Sequence, residues 1–203
     1  MPASAEIHLL RQRVLARAAA RLAHDFNNDL TVIGGQAELA QRPAAGRLPE
    51  RLEQIIKVTG IARDRSRLVL ELAHAEPHAD EVITGERIRE DVEQLVALLA
   101  GRDATVEVQV GDDLPAADKV RLQWLIAAMV LAGVPEPDHP YAHLFLNLRA
   151  LQEGIGIELT AMTGAPLPPW LTEATAAVGA AVDVDSTADG WVAHTVLPHP
   201  AGA

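Results

Sequence analysis

Two long helical repeats, separated by a proline-containing break, make up the first third of the chain. From residue 7 to residue 41, apolar residues recur at spacings of three and four, which places them on one face of a helix. They are Leu15, Ala19, Leu22, Phe26, Leu30, Ile33, Ala37 and Ala40. Residues 42–49 hold two prolines and a glycine, which interrupt a helix. A second repeat runs from Leu52 to Ala73 and ends before Pro77, so residues 1–77 are predicted to form a helical hairpin.

The apolar faces of these two helices are wide. Two helices cannot bury such faces against each other alone, whereas two hairpins can do so by pairing. The sequence therefore predicts a homodimer that forms a four-helix bundle.

The second half of the chain alternates between helical and strand patterns. After a polar linker at residues 74–78, the predicted order is helix 86–99, strand 104–110, helix 120–131, strands 142–149 and 154–162, helix 171–178, and strands 181–185 and 191–197. This order predicts a second domain over residues 83–203. Its fold is an α+β sandwich, with a sheet covered on one face by helices.

Charge and composition exclude several classes of function. The net charge is −11, which disfavours nucleic acid and anionic membrane as partners because both attract basic surfaces. The longest apolar run, Leu122–Val134, is too short to cross a bilayer, and no signal peptide is evident, so a cytoplasmic protein is expected. The chain has no cysteine, which excludes thiolate chemistry. His74 and His78 have the spacing of a helical metal pair, but Pro77 interrupts it, so no metal site is expected.

A polar strip on the first helix faces away from the apolar stripe. It consists of Arg17, Arg21, His24, Asn28 and Thr31. One ring nitrogen of His24 could attack phosphorus while Asp25 holds the other, and Asn28 could orient a water. Arg17, Arg21 and Thr31 are expected to contact a partner. By spacing alone, such a histidine is more often an ordinary solvated residue.

The sequence around His24 resembles the phosphoacceptor box of sensor histidine kinases of the His-Asp-Phe-Asn-Asn type. The similar residues run from Leu22 to Ile33 and continue through Ala37, Glu38 and Leu39. The resemblance implies that His24 accepts phosphate, that Asp25 is the acidic partner in transfer and that Asn28 assists dephosphorylation. It also implies a dimerisation and phosphotransfer hairpin that contacts receiver domains of response regulators.

The second half is similar to the ATP-binding domain of the same family, but with departures. Ala128 and Ala132 stand where the family has magnesium-binding asparagines, and Met162 stands where an aspartate reads adenine. The segment 171–179 has helix-forming residues and one glycine where the family has a glycine-rich lid. The resemblance therefore implies a degenerate domain that binds no ATP, with no cofactor on this chain and Mg²⁺ on the partner receiver.

The expected function is that of a histidine phosphotransferase, which passes phosphoryl groups between receiver aspartates through His24. Two alternatives remain open. The chain could be a phosphatase of a phosphorylated response regulator, or a non-catalytic pseudokinase scaffold that binds a receiver domain or a kinase. An ATP-dependent kinase with an unusual nucleotide pocket is not expected.

Overall fold

A computed structural model describes residues 3–40, 47–74, 81–100, 104–134 and 142–200. The chain divides into two compact units. One is Leu15–His74, and the other combines Met1–Val14 with Ala75–Ala203. Residues 75–80, which include most of the predicted linker and His78, lie outside the described residues.

The two helices that the sequence predicts are present, and the first unit contains the second helix and the part of the first helix from Leu15 onward. Helix α1 is Ala3–Ala40 and helix α2 is Leu48–His74. Helix α2 begins four residues before the predicted Leu52, so that Pro49 lies in its first turn instead of in the break. Proline is tolerated there because the first amides of a helix have no helical acceptor in any case.

The hairpin buries a different strip of α1 from the one that the sequence predicts. The buried residues of α1 in this unit are Ala18 and Asp25, which are not in the predicted apolar stripe, whereas Phe26 and Leu30 of that stripe are exposed. Helix α2 likewise buries some apolar side chains and exposes others; those exposed are Leu48, Leu52, Ile56, Ile61 and Leu70. Ile56 has 72% of its surface exposed. Two helices cover only one side of each other, so a wide apolar stripe stays uncovered in a single hairpin.

The second unit is the predicted α+β sandwich. In chain order its elements are β1 (Val82–Ile83), α3 (Glu86–Ala100), β2 (Ala104–Val110), β3 (Ala117–Asp118), α4 (Lys119–Gly133), β4 (Ala142–Leu151), β5 (Gly154–Met162), α5 (Trp170–Ala177), β6 (Val182–Ser186) and β7 (Trp191–Pro198). Five strands form one sheet in the order β2-β4-β5-β7-β6. The β2–β4 pair is parallel and the other pairs are antiparallel. The sequence did not predict β1 and β3, which pair as a separate two-residue ladder.

The core of this unit lies between the sheet and its helices. Along β7, Trp191, Ala193, Thr195 and Leu197 are buried and alternate with more exposed residues, as expected for a strand with one covered face. Helix α4 contacts the sheet as well as α3 and α5. Because it is covered on several sides, nearly all its residues are buried, which explains why its sequence is apolar all round. Among the described residues, no helix is both long and apolar enough to cross a bilayer.

Candidate functional site

His24 lies near the middle of α1, with 55% of its side chain exposed. The residues before His24 are mostly strong helix formers, those after it include the weak formers Asp and Asn, and no proline interrupts the helix nearby. The rigid helix therefore fixes the Cα–Cβ direction of His24 and leaves the ring to be oriented by its neighbours. The exposure is sufficient for a reactive group of another molecule to reach the ring.

Two neighbours of His24 approach the same ring nitrogen. Nδ1 lies 3.4 Å from Oδ1 of Asp25, a long hydrogen bond, and 3.3 Å from the amide nitrogen of Asn28. With a proton on Nδ1, the ring donates to Asp25, and a flip of the Asn28 amide would present its oxygen to the same N–H. Within the described residues, Nε2 makes no hydrogen bond. The contact with Asp25 fits the tautomer in which Nε2 keeps its lone pair, whereas the Asn28 amide as oriented fits the other tautomer, in which Nδ1 is the acceptor.

Asp25 is held by two arginines. Its side chain is only 10% exposed. Arg21, one turn earlier on α1, places Nη2 3.1 Å from Oδ1, and Arg65 of α2 places Nη1 3.3 Å from Oδ2. A carboxylate so far removed from water needs charged or hydrogen-bonding partners, and the two guanidinium groups provide them.

Arg65 also reaches a second acid. Its Nη1 atom lies 3.6 Å from Oδ2 of Asp29, which is one turn after Asp25 on α1. Neither Arg65 nor Asp29 was predicted from the sequence as a site residue. The spacing of Asp25 and Asp29 indicated that two carboxylates share one face of α1. It could not indicate which residue of α2 faces them, because periodicity gives the face of each helix but not the register between helices.

The other members of the polar strip differ in their surroundings. Asn28 and Thr31 are exposed, and the hydroxyl of Thr31 donates to the main-chain oxygen of Asn27 at 2.8 Å. Arg21 is engaged with Asp25 and is 17% exposed, while Arg17 is half-buried. The contacts of Arg17, Arg21 and Thr31 with a partner stay predictions.

The residues that the resemblance places at lost ATP contacts lie in the second unit. Ala128 of α4 is completely buried, Ala132 is half-buried, and Met162 at the end of β5 is exposed. The segment 171–179, expected to stand where a lid would be, contains all of helix α5 except its first residue and ends at Gly179, which has a φ of +75°. Among the described residues, no group of three or more histidine, aspartate and glutamate side chains is placed to hold a metal ion.

Arg121 of α4 donates hydrogen bonds to main-chain oxygens at the C-terminal end of α5. Its Nε donates to the main-chain oxygen of Val178 at 3.0 Å, and its Nη2 donates to that of Gly179 at 3.1 Å. These carbonyls follow the last turn of α5, where main-chain oxygens have no helical donor. The guanidinium therefore occupies the space beside the end of α5.

The sheet has a shallow depression on the face opposite the helices. It measures about 270 Å³, and Arg149, Glu158, Asp183 and His194 contribute to its lining. Nδ1 of His194 lies 3.3 Å from Oε2 of Glu158 on the neighbouring strand. Cross-strand pairs of this kind are typical of the solvated face of an antiparallel sheet.

No family model and no curated protein matches the chain. Among solved structures, the chain is similar to one described as a bacterial phosphotransferase, at 13% identity and a TM-score of 0.48, over 91% of this chain and 96% of that one. It is also similar to the Acinetobacter baumannii histidine kinase AdeS, at 9% identity and a TM-score of 0.44, over 86% and 97% of the two chains. The mycobacterial sensor histidine kinase MprB gives 18% identity and a TM-score of 0.43, over 59% and 97%. At these values the likenesses identify neither a family nor an activity for this chain.

Proposed function

We propose that the chain is a histidine phosphotransferase in which Nε2 of His24 takes a phosphoryl group from one receiver aspartate and delivers it to another. The observation that supports this proposal most is the difference between the contacts of the two ring nitrogens of His24. Nδ1 is contacted by Asp25 and Asn28, whereas Nε2 makes no hydrogen bond within the described residues and the side chain is 55% exposed. An exposed nitrogen with a free lone pair is what a nucleophile at phosphorus requires.

The transfer balances with the groups at hand. The Nε2 lone pair attacks the phosphorus of an aspartyl phosphate, the P–O bond to the aspartate breaks, and the aspartate leaves as a carboxylate. The ring becomes a phosphorylated imidazolium, and its Nδ1–H donates to Asp25, whose negative charge stabilises the positive charge that develops on the ring. In the delivery step a carboxylate oxygen of the second receiver's aspartate attacks the phosphorus, the N–P bond breaks, and the electron pair of that bond returns to Nε2. No proton has to leave the site.

The partner proposed for His24 is a receiver domain. Its contact surface would include the exposed part of α1 after His24, where Val32 and Leu39 add apolar area to the polar strip. Gly35 lies in the same stretch, and a Cβ added there would meet no described atom within 4 Å apart from the neighbouring part of its own helix. The glycine is therefore not required by internal packing, and its bare backbone allows a partner to approach closely. The receiver would supply Mg²⁺ through its own acidic pocket.

We also propose that two chains pair through the exposed apolar stripe of the hairpin. Phe26 and Leu30 on α1, with Leu52, Ile56 and Leu70 on α2, form a set of large apolar side chains that a single hairpin leaves in water. Large apolar side chains that stay exposed along both helices of a hairpin are what an interface between two hairpins would cover. A second copy of the hairpin would cover it and complete a four-helix bundle.

The proposed reaction does not use ATP. The alanines at positions 128 and 132 have no lone pair with which to bind Mg²⁺, and Mg²⁺ requires oxygen ligands. Ala128 is in addition completely buried, so a metal could not reach its side chain. The phosphoryl group would come from a phosphorylated receiver instead.

The test compares two sources of radiolabelled phosphate. Purified protein, and separately the variant His24→Ala, is incubated with labelled ATP alone and then with a labelled, phosphorylated receiver from the same genome. Label on the wild-type chain, absent from His24→Ala and seen only with the receiver, is the expected result. Label from ATP alone would contradict the proposal that the reaction does not use ATP. No label with any receiver of that genome would contradict the proposal that His24 takes phosphate from a receiver.

The position of Asn28 keeps a second function open. Its exposed amide lies one turn from His24, where it could orient a water toward the phosphorus of a docked receiver. The chain would then be a phosphatase, and loss of label from the receiver without label on His24 would indicate it. A non-catalytic scaffold would bind a receiver or a kinase equally well with His24→Ala.

A further inference from the structure

The Asp25 carboxylate is held at both oxygens from opposite sides. Oδ1 faces Nδ1 of His24 at 3.4 Å and Arg21 at 3.1 Å, while Oδ2 faces Arg65 at 3.3 Å. A carboxylate bound at a single oxygen can rotate about its terminal bond, whereas one bound at both oxygens has a fixed orientation. The direction in which Oδ1 points at the ring therefore depends on the contact at Oδ2.

The contact at Oδ2 comes from the other helix of the hairpin. Arg65 lies on α2, and its side chain is 39% exposed, so that it is neither a core residue nor a fully solvated one. Its Nη1 atom lies between Asp25 and Asp29, two carboxylates of α1 that would otherwise repel each other. The Oδ2 atom of Asp29 is buried and has no hydrogen-bond partner in the described part of the chain, so the 3.6 Å ion pair with Arg65 is its compensation there.

We propose that Arg65 is a positioning residue for phosphoryl transfer: by holding Oδ2 of Asp25 it keeps Oδ1 on Nδ1 of His24 and leaves Nε2 as the nucleophile. This inference rests on the proposed function. Arg65 does not touch the reacting atoms and acts through Asp25. The site is then built by both helices of the hairpin, although all three residues that the sequence indicated belong to α1.

Arg67 provides a matched control. It is also an arginine of α2, two residues further on, and its side chain is 69% exposed and pairs with Glu71 of the same helix at 3.4 Å. Arg67→Ala removes the same charge and nearly the same side-chain volume as Arg65→Ala. It leaves the contacts of Asp25 in place.

The experiment measures the ring and the reaction separately, with Arg65→Ala, Arg65→Lys and Arg67→Ala. Nitrogen-15 NMR of His24 reports which ring nitrogen carries the proton, and labelling by phosphoramidate, a small phosphodonor that needs no docking surface, reports reactivity at Nε2. Arg65→Ala is expected to increase the tautomer protonated at Nε2 and to slow labelling by about 10- to 100-fold. Arg65→Lys should recover most of the rate because an ammonium can still pair with Oδ2, and Arg67→Ala should match wild type.

Two results would overturn the inference. One is an unchanged tautomer in Arg65→Ala, whether or not labelling slows, and the other is an equal loss of labelling rate in Arg67→Ala. If circular dichroism shows that Arg65→Ala does not fold, Arg65→Gln takes its place, since it keeps a polar side chain of similar length without the charge. If wild type takes no label from phosphoramidate or from a receiver, the proposed function fails, and the tautomer measurement still decides whether Arg65 orients the ring.

Discussion

The amide nitrogen of Asn28 lies 3.3 Å from Nδ1 of His24, one helical turn away on α1. The asparagine thus contacts the ring nitrogen opposite the one proposed to carry phosphate. Asp25 contacts the same nitrogen, so Asn28 is not needed to hold the proton there. Its exposed amide is instead available to a water or to a docked molecule.

Asn28→Ala therefore separates transfer from dephosphorylation. We expect label to pass from receiver to His24 within about threefold of the wild-type rate, because Asp25 still orients the ring. Any loss of receiver phosphate to water that the wild type catalyses should fall by about 100-fold. The two rates are followed on one gel, as labelled chain and as released inorganic phosphate. Equal loss of both would mean that Asn28 orients the ring itself, and an unchanged release rate would exclude it from hydrolysis.

Ile56→Glu should prevent pairing of two hairpins. Ile56 is 72% exposed in the single chain, and a carboxylate in the middle of an apolar interface would have to lose its water without a partner. Size-exclusion chromatography with light scattering should give a dimer for wild type and a monomer for the variant. The control is Val82→Glu, which changes an exposed apolar residue of β1 in the other unit and should leave the dimer intact. A monomeric wild type, or a dimeric Ile56→Glu, would contradict the four-helix bundle.

Most of the helices and strands could be predicted from the local sequence pattern, whereas the contacts between the site residues could not. Strand β2 begins and ends at the predicted residues 104 and 110, because alternation of apolar and polar residues carries its own boundaries. The β1–β3 ladder was missed since two residues give no measurable alternation. Periodicity placed His24 on the exposed face of α1. It could not place Arg65 against Asp25, because that contact joins two residues 40 apart in sequence and depends on the register between two helices.

The burial of Asp25 shows a related limit. Its charge suggested a surface residue beside His24, whereas it lies on the face of α1 that also buries Ala18. The wide apolar stripe of α1 indicates that more than one helix packs against it. The sequence does not show which part of that stripe contacts α2. In this hairpin a buried carboxylate with two arginine partners occupies a position that the apolar pattern alone would have left to solvent.

Ala128→Asn should not restore nucleotide binding. The methyl group of Ala128 is completely buried in α4, so an asparagine there would put an amide into a packed core instead of a metal site. An unsatisfied buried amide should lower the free energy of unfolding by about 1–3 kcal/mol. Calorimetry with ATP and Mg²⁺ measures binding, and urea unfolding measures stability. Ala132→Asn is the comparison, since its half-buried site should tolerate the amide better. Measurable ATP binding by Ala128→Asn would contradict the conclusion that position 128 lies in a packed core and not at a metal site.

Substitutions at Arg121 and Gly179 should have non-additive effects on the free energy of unfolding. Arg121→Ala removes two hydrogen bonds from a guanidinium to main-chain oxygens, which should lower the free energy of unfolding by about 1–2 kcal/mol. Gly179→Ala should be destabilising for two reasons: the residue has a φ of +75°, and an added Cβ would lie 2.7 Å from Nη2 of Arg121.

Removing the Arg121 side chain removes its clash with a Cβ at position 179, but it does not remove the cost of the positive φ at that position. In the double variant Arg121→Ala, Gly179→Ala, the glycine substitution should therefore be less destabilising than in wild type, yet still unfavourable because the backbone conformation is retained. Urea unfolding of the four proteins closes the double-mutant cycle. Strict additivity would mean that the guanidinium moves away at no cost, and that its contact with Gly179 does not hold the end of α5 in place.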